Sequence, residues 1–189
     1  MSGILEDLTA AGYPVESISD LRESRTRYRA AVPILVRWLK RANSTFEEEQ
    51  IVRALSVPWA KDEAVGPLID RFRALSGDDP QTRLLRWAIG NALEILWDDS
   101  RFDDLARLAQ DPSFGKAREM VVLGLGRSRK SEAGKLLIEL LRDPVVSGHA
   151  VKALGKLRLA DARPGLESML SDERAWVRKE ARRALLKLD

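Results

Sequence analysis

The 189-residue sequence contains no cysteine and a single histidine, His149. The absence of cysteine excludes a disulfide framework, a thiolate nucleophile and any cysteine-ligated zinc or iron–sulfur site. One histidine cannot form a histidine-based metal cluster, and the sequence has no glycine-rich phosphate loop of the nucleotide-binding type. We therefore predict no metal site, no cofactor and no catalytic residue.

Long apolar runs are also missing from the sequence. No stretch approaches the roughly 20 apolar residues that span a bilayer, and the first residues lack the basic and apolar segments of a secretory signal. Glycine (12 residues) and proline (8 residues) are not enriched, which excludes collagen-like and low-complexity chains. These absences predict a soluble cytoplasmic protein that has no membrane partner.

Charged residues are abundant but unevenly distributed. They make up 32% of a sequence that is 44% apolar, which is enough apolar material for a packed core. Residues 1–114 hold 15 Lys/Arg against 19 Asp/Glu, a net charge of −4, and residues 115–189 hold 17 against 10, a net charge of +7. This asymmetry indicates either an anionic partner or an ordinary solvated surface.

The sequence repeats at intervals of about thirty residues. Five segments carry an apolar stripe, and they begin at Ala31, Ala64, Phe102, Ala133 and Ala162. Each is followed by a second stripe centred on a small residue and a leucine: Ala54-Leu55, Ala92-Leu93, Gly124-Leu125, Ala153-Leu154 and Ala184-Leu185. The spacings between these pairs are 38, 32, 29 and 31 residues, so the chain is expected to contain five similar units.

Each half of a unit has the periodicity of an α-helix. In the last half, Val177, Ala181, Ala184 and Leu188 recur on one face of a helix. No long alternation typical of a β-strand occurs. We therefore predict two antiparallel helices in each unit, helix A followed by helix B.

Residues typical of helix ends support this division. The predicted N-terminal caps are Ser44 or Thr45, Asp79, Ser100, Ser131, Asp161 and Asp172, and Gly77 is a predicted C-terminal stop. Pro33, Pro67 and Pro164 recur where helix A is expected to begin, the position at which a missing N–H costs least. A proline position shared by three units favours a true repeat.

Residues 1–29 do not follow the repeat. Ile4, Leu5 and Leu8 indicate one short helix that ends at Gly12, and residues 17–29 indicate a second. Because an array of repeats exposes an apolar face at its end, we interpret residues 1–29 as an N-terminal helical cap. A partner-binding arm is the alternative.

The pattern resembles the HEAT repeats, especially the short HEAT-like units named for phycobilisome lyases. The match is clearest from Leu166 to Leu185, where a run of leucines, Asp172, Val177-Arg178 and Ala184-Leu185 follow the family's order. The resemblance implies an all-α, right-handed α-α superhelix of about five helix pairs. It would form one domain, with the cap over 1–29 and a HEAT-like repeat array over 30–189.

The resemblance also implies a polar ladder between repeats, made by an Asp in the turn and an Arg in helix B. Asp172 and Arg178 match this pattern well, and the pairs Asp111/Arg118 and Asp79/Arg86 match it loosely. The first unit has Glu48 and the fourth has Ser147 at the arginine position, so the ladder is expected to break there.

Few residues suggest chemistry. His149 is expected to be a partly exposed surface residue, and Gly124 and Gly126 are expected to allow close helix packing. An acidic cluster is interpreted as helix-capping and first-turn charge, with a site for a hard cation as the alternative. The cluster comprises Glu94, Asp98, Asp99, Asp103 and Asp104.

The basic C-terminal half carries the main functional hypothesis. In the HEAT family the B helices line the concave surface, and a helical wheel places a set of polar and aromatic side chains outward there. This predicted partner-binding set is Arg53, Trp87, Asn91, Lys152, Lys156, Lys179, Arg182 and Arg183. Such a face suits an acidic protein surface or the phosphates and bases of a nucleic acid.

The five tryptophans are expected to play different parts. Trp59 and Trp97 occupy the same place in two units and are predicted to plug the end of helix B. Trp38 is predicted to lie in the core and Trp176 to be half covered by the preceding turn. Only Trp87 is predicted to project from the concave face.

The sequence therefore favours a non-enzymatic protein-interaction scaffold that binds another protein on its concave face. The alternative is DNA binding through the basic C-terminal concave face, as in the HEAT-like DNA glycosylases. A lyase role by analogy with phycobilisome lyases has no residue of its own to support it. The oligomeric state is expected to be a monomer or a weak homo-oligomer.

Overall fold

The computed structural model describes residues 2–77 and 79–188, and these residues are folded as helices joined by turns, without any β-strand. The prediction of an all-α fold is thereby confirmed. The chain divides into two compact units, residues 1–96 and 97–189, and each is described separately. Whether the repeats form one domain, and whether the superhelix is right-handed, stay predictions.

Unit 1 contains two of the predicted helix pairs and the N-terminal helices. Its helices are α1 (Ser2–Ala10), α2 (Ile18–Glu23), α3 (Val32–Leu39), α4 (Thr45–Leu55), α5 (Lys61–Ala74) and α6 (Pro80–Ile95). Helices α3 and α4 form the first A/B pair, and α5 and α6 form the second. Its core includes Leu35, Ile51, Leu68, Phe72 and Ile89, which are inaccessible to solvent.

Unit 2 contains the other three pairs. Its helices are α7 (Phe102–Gln110), α8 (Glu119–Leu125), α9 (Ser131–Leu140), α10 (Ser147–Leu157), α11 (Arg163–Ser168) and α12 (Ala175–Leu185). The B helices α8, α10 and α12 pack side by side. Close approach at these contacts requires small residues: a Cβ added to Gly126 would lie 2.8 Å from the Cα of Ala153, and one added to Gly155 would lie 3.0 Å from the Cβ of Ala184.

Two of the predicted helix starts are confirmed. The hydroxyl of Ser44 accepts a hydrogen bond from the N–H of Glu47, and the carboxylate of Asp79 accepts bonds from the N–H groups of Gln81 and Thr82 in α6. Pro33 and Pro164 lie in the first turns of α3 and α11 as expected. Pro67 does not: it lies inside α5, because that helix begins earlier, at Lys61.

Other predicted caps were wrong. Ser131 is the first residue of α9, and its hydroxyl contacts the carboxylate of Glu132 instead of capping the helix. Ser100 and Asp161 lie within 3-10 turns that lead into α7 and α11, where Asp98 supplies the cap before Ser100. Asp172 accepts the N–H of Arg174 in the turn before α12, so it shapes the turn without capping the helix.

Three arginines, two on B helices and one directly before a B helix, bind main-chain carbonyl groups that precede them in the same repeat. The guanidinium groups donate to main-chain carbonyl oxygens: Arg86 to Leu75, Arg118 to Ala109, and Arg178 to Asp172 and Glu173. The last carbonyl groups of a helix lack intrahelical partners, so Arg86 and Arg118 tie α5 and α7 to the B helix that follows, whereas Arg178 fixes the turn before α12.

The polar ladder continues at both positions where it was expected to break. Glu48 of α4 forms an ion pair with Arg71 of α5. Here the B helix supplies the acidic residue and the next repeat supplies the basic one, the reverse of the expected arrangement. At the fourth unit Arg174 donates to the Ser147 hydroxyl at 2.6 Å and pairs with Asp172 at 2.8 Å. The regular rung is Arg118 with Asp143 of the following repeat, at 2.5 Å.

The N-terminal helices pack against the first pair. Ile4 and Leu8 of α1 are buried. Asp7 accepts a hydrogen bond of 2.7 Å from the indole Nε1 of Trp38, whose ring also packs over Gly3. Trp38 is therefore half-buried under α1, not inside the core as predicted. These contacts are what a cap would make, and the capping role stays a prediction.

Candidate partner-binding surface

Unit 1 has a groove whose floor is Trp87 on α6. One face of α6 is buried through Leu85, Ile89 and Leu93. With about 100° between successive residues, the opposite face presents Leu84, Trp87, Asn91 and Ile95. The groove has a volume of about 320 Å³ and is lined by Arg22, Arg53, Ser56, Trp87, Ala88, Asn91 and Ile95.

Three residues of the predicted binding set, Arg53, Trp87 and Asn91, therefore lie around one groove. Arg53 is held in place by Glu49, which accepts hydrogen bonds of 2.8 and 2.6 Å from its Nε and a terminal nitrogen. The amide nitrogen of Asn91 donates to the carbonyl oxygen of Trp87 at 3.1 Å. The side chain of Trp87 itself keeps 42% of its surface exposed.

The groove also contains residues that the sequence analysis missed. Ile95 and Leu84 are exposed apolar side chains on the same helix face as Trp87. Their helical spacing with Trp87 is visible in the sequence, although only Ile95 lines the groove. Arg22 comes from α2, outside the predicted array, and no repeat pattern could have placed it at the groove.

The other five predicted residues belong to unit 2, on α10 and α12. Their side chains are all exposed: Lys152, Lys156, Lys179, Arg182 and Arg183. Arg183 pairs with Glu180 of its own helix at 2.9 Å. Because Ala184 faces α10 and Arg182 lies about 200° around the helix from it, the Arg182 side chain points away from α10.

A second exposed tryptophan lies between α10 and α12. Trp176 keeps 41% of its surface exposed, so the ring is about half covered, as the sequence predicted. Its ring centroid lies 5.6 Å from that of His149 and 5.8 Å from the guanidinium carbon of Arg174. A Cβ at Gly148 would collide with this ring, so the glycine makes room for it.

His149 is partly exposed, as predicted, and its charge is suppressed. Burial against Trp176, followed by the positive charges of Lys152 and Arg174, lowers the pKa of the imidazole to about 4. The ring is therefore neutral at physiological pH. Arg174 and Lys152 remain the cations beside Trp176.

The remaining tryptophans make contacts inside their units. Trp97 is buried, and its Nε1 donates to the carboxylate of Asp99 at 2.9 Å. Trp59 is half-buried, and its ring meets that of Tyr28 edge-on at 5.4 Å between centroids. Both lie in the turn after a B helix, where the repeat comparison placed them.

Structural contacts account for members of the acidic cluster. Asp99 also accepts bonds from the Ser128 hydroxyl and the Arg129 N–H, which tie its turn to the next loop. Asp98 accepts the Ser100 N–H, and Asp104 pairs with Arg101. Among residues 2–77 and 79–188, no group of acidic side chains and histidine is arranged to hold a metal ion. Over the same residues, no helix is both long and apolar enough to span a bilayer.

Comparisons with known proteins support the fold. The family model for HEAT repeats matches residues 105–187. An engineered protein of known structure is similar over 98% of this chain and 95% of its own, with 20% sequence identity and a TM-score of 0.52. A designed armadillo repeat protein is similar over 91% of this chain and 86% of its own, with 20% identity and a TM-score of 0.54.

Curated proteins provide no match to the sequence. The model match covers the last repeats, where the sequence resemblance was also strongest, and the structural likeness extends the helical-repeat fold to most of the chain. The match to the HEAT-repeat model over residues 105–187 and the structural likenesses therefore agree on a helical-repeat fold for the chain.

Proposed function

We propose that the chain is a non-enzymatic interaction scaffold that binds a protein partner on its B-helix face, the face that the HEAT resemblance makes concave. The observation that carries the proposal is the groove around Trp87. Arg53 and Asn91 were chosen from their repeat positions alone, and they line the same groove as this exposed indole. An exposed tryptophan flanked by arginine is the composition of a binding hot spot.

The contacts of the groove favour binding with little loss of entropy. Trp87 projects from a 16-residue helix, and Arg53 is held by Glu49 before any partner arrives. Ordering side chains at an interface costs about 0.5–1.5 kcal/mol each, so a preformed groove retains that free energy. Covering the exposed part of the indole would bury about 100 Å², which contributes about 2.5 kcal/mol.

The proposal is tested with three baits in the native host's lysate, each with and without nuclease: the wild-type chain, Trp87→Ala and Phe46→Ala. Phe46 is the matched control, because it is an exposed aromatic residue of the same unit that does not line the groove. We expect one stoichiometric protein that survives nuclease, is retained by Phe46→Ala, and binds Trp87→Ala roughly sixtyfold more weakly. Full retention by a folded Trp87→Ala/Arg53→Ala variant would remove this face from consideration.

Nucleic-acid binding by unit 2 is the second candidate function. It is favoured by the five exposed cations on α10 and α12 together with the exposed ring of Trp176, since bases stack on aromatic side chains between phosphate-binding cations. Affinity for duplex and single-stranded DNA is measured as a function of salt, because phosphate contacts weaken steeply as salt rises. No binding at low salt ends this candidate.

A further inference from the structure

The segment that joins α2 to α3 is rich in arginine. Arg22, Arg25, Arg27 and Arg29 lie within eight residues, and all four side chains are exposed. In the part of the chain that the structure describes, none of the four guanidinium groups makes a hydrogen bond or an ion pair. Other exposed arginines of unit 1 do have such partners, including Arg37 with Asp7 and Arg53 with Glu49.

The segment is fixed to the protein by Tyr28. This side chain is buried, its hydroxyl donates to the carbonyl oxygen of Ala54 at 2.9 Å, and its ring packs edge-on against Trp59. Ala54 is adjacent in sequence to Arg53, which lines the groove. Tyr28 therefore holds the arginine segment against the end of α4 that borders the groove.

Arg22 belongs to both features. It begins the arginine segment and also lines the groove with Arg53, Trp87 and Ile95. Arg22 therefore joins the two features, because the arginine segment begins at a residue that lines the groove beside Trp87 and Ile95. Acidic residues on the same helices include Glu49, which is paired with Arg53, Asp20, which binds Ser17, the buried Glu94 and the exposed Glu23.

We propose that this surface binds an acidic peptide segment, and that residues 22–29 are part of the binding site. The proposal rests on the proposed function and names the class of partner. A peptide side chain would cover Trp87 and Ile95, and its carboxylates would pair with the arginines, whose planar guanidinium groups bind carboxylates in bidentate fashion. The exposed apolar side chain of Ile95 fits a peptide better than a polyphosphate chain, because nucleic-acid interfaces are polar and strongly basic.

The test selects binders to the wild-type chain from a phage-displayed library of random peptides and measures the affinity of the selected peptides. Three variants are compared: Arg25→Gly/Arg27→Ser, the control Lys40→Ser/Arg41→Ser, and Trp87→Ala. The first two lose the same charge, and Lys40 and Arg41 are exposed in the same unit away from the groove. Arg25 has a left-handed backbone (φ 55°), so glycine is compatible with the fold there. Circular dichroism and thermal melting confirm that each variant is folded.

We expect the selected peptides to be rich in Asp and Glu around an apolar residue. Their affinity should fall at least about tenfold in Arg25→Gly/Arg27→Ser and in Trp87→Ala, and stay unchanged in the control. Selected peptides that lack acidic residues, or that lose affinity equally in both charge variants, overturn the acidic assignment. If those peptides still depend on Trp87, the proposed function stands.

Two other results also overturn the proposal. Enrichment of no peptide at all would show that the surface is not a peptide site, whereas the proposed function is judged separately by the capture of a folded partner. A single-stranded oligonucleotide is the competitor. If it displaces the peptides, binds more tightly than they do and depends on the same arginines, the surface is a nucleic-acid site.

Discussion

Replacing Asp143 by alanine should destabilise the protein by about 3 kcal/mol, because it leaves a buried guanidinium without its carboxylate partner. The side chain of Arg118 is only 2% exposed, and it donates to the Asp143 carboxylate at 2.5 Å and to the carbonyl oxygen of Ala109 at 3.1 Å. Loss of one member of a buried ion pair costs about 3–5 kcal/mol. We expect the lower end of this range because the carboxylate of Asp143 is 25% exposed, so water can approach the vacated site.

A second substitution distinguishes a stranded charge from simple loss of contacts. Arg118→Met keeps an unbranched apolar side chain in the buried position and removes the charge. Added to Asp143→Ala, it should recover about 1–2 kcal/mol, so the two effects will not be additive. Urea unfolding at neutral pH gives the free energies. If the free-energy costs of Asp143→Ala and Arg118→Met simply add in the double variant, the reasoning is refuted.

The pH dependence gives an independent check on the same pair. Burial raises the pKa of the Asp143 carboxyl, but the hydrogen bonds from Arg118 and from the Val145 N–H outweigh this effect, and the pKa lies below its ordinary value. A lowered folded-state pKa stabilises the protein above the unfolded pKa, which is about 3.9, and this contribution is lost as the pH falls through the folded value. The difference in stability between wild type and Asp143→Ala should stay constant from about pH 8 to 5 and shrink only below about pH 4.

Three further predictions concern single residues of unit 2. The imidazole signals of His149, the only histidine, should titrate in NMR spectra with a midpoint near 4. Because the unfolded chain takes up this proton at about pH 6.5, the protein should lose stability as the pH falls from about 6.5 to 4, and His149→Gln should reduce that loss. Arg158 ends α10 with φ 55°, so Arg158→Gly should stabilise by about 0.5–1 kcal/mol in urea unfolding while Arg158→Ala should not. Gly126→Ala should cost about 1–3 kcal/mol, because its Cβ would meet the backbone of Ala153, and an unchanged melting temperature would contradict this packing.

The helix pairs could be predicted because the repeat constrains every B helix in the same way. A small residue is needed where neighbouring B helices approach closely, and Gly155 against Ala184 is such a contact. Helix starts were harder to predict from the same sequence. Pro67 lies inside α5 even though an interior proline removes a main-chain hydrogen bond, so proline marks the start of α3 and α11 but not that of α5.

The candidate site was predictable only in part, for a related physical reason. The helical wheel tells which side chains leave the core, and it correctly identified Trp87 and Asn91 as members of one exposed face. It does not tell which long side chains reach across to another element. The partner of Arg118 is Asp143 of the next repeat, not Asp111, and Arg22 reaches the groove from outside the repeats. Such contacts depend on side-chain direction, which sequence spacing does not encode.

The exposure of two tryptophans is the feature that most requires a functional explanation. Burying an indole is strongly favourable, and Trp38, Trp59 and Trp97 all pack or form hydrogen bonds within their own units. Trp87 and Trp176 each leave about two fifths of their surface in solvent, and each has arginine nearby. Both rings are on B helices, Trp87 beside a groove and Trp176 over Gly148. The free energy of burying the rest of each indole is not gained within the chain, and a partner that covered the rings would supply it.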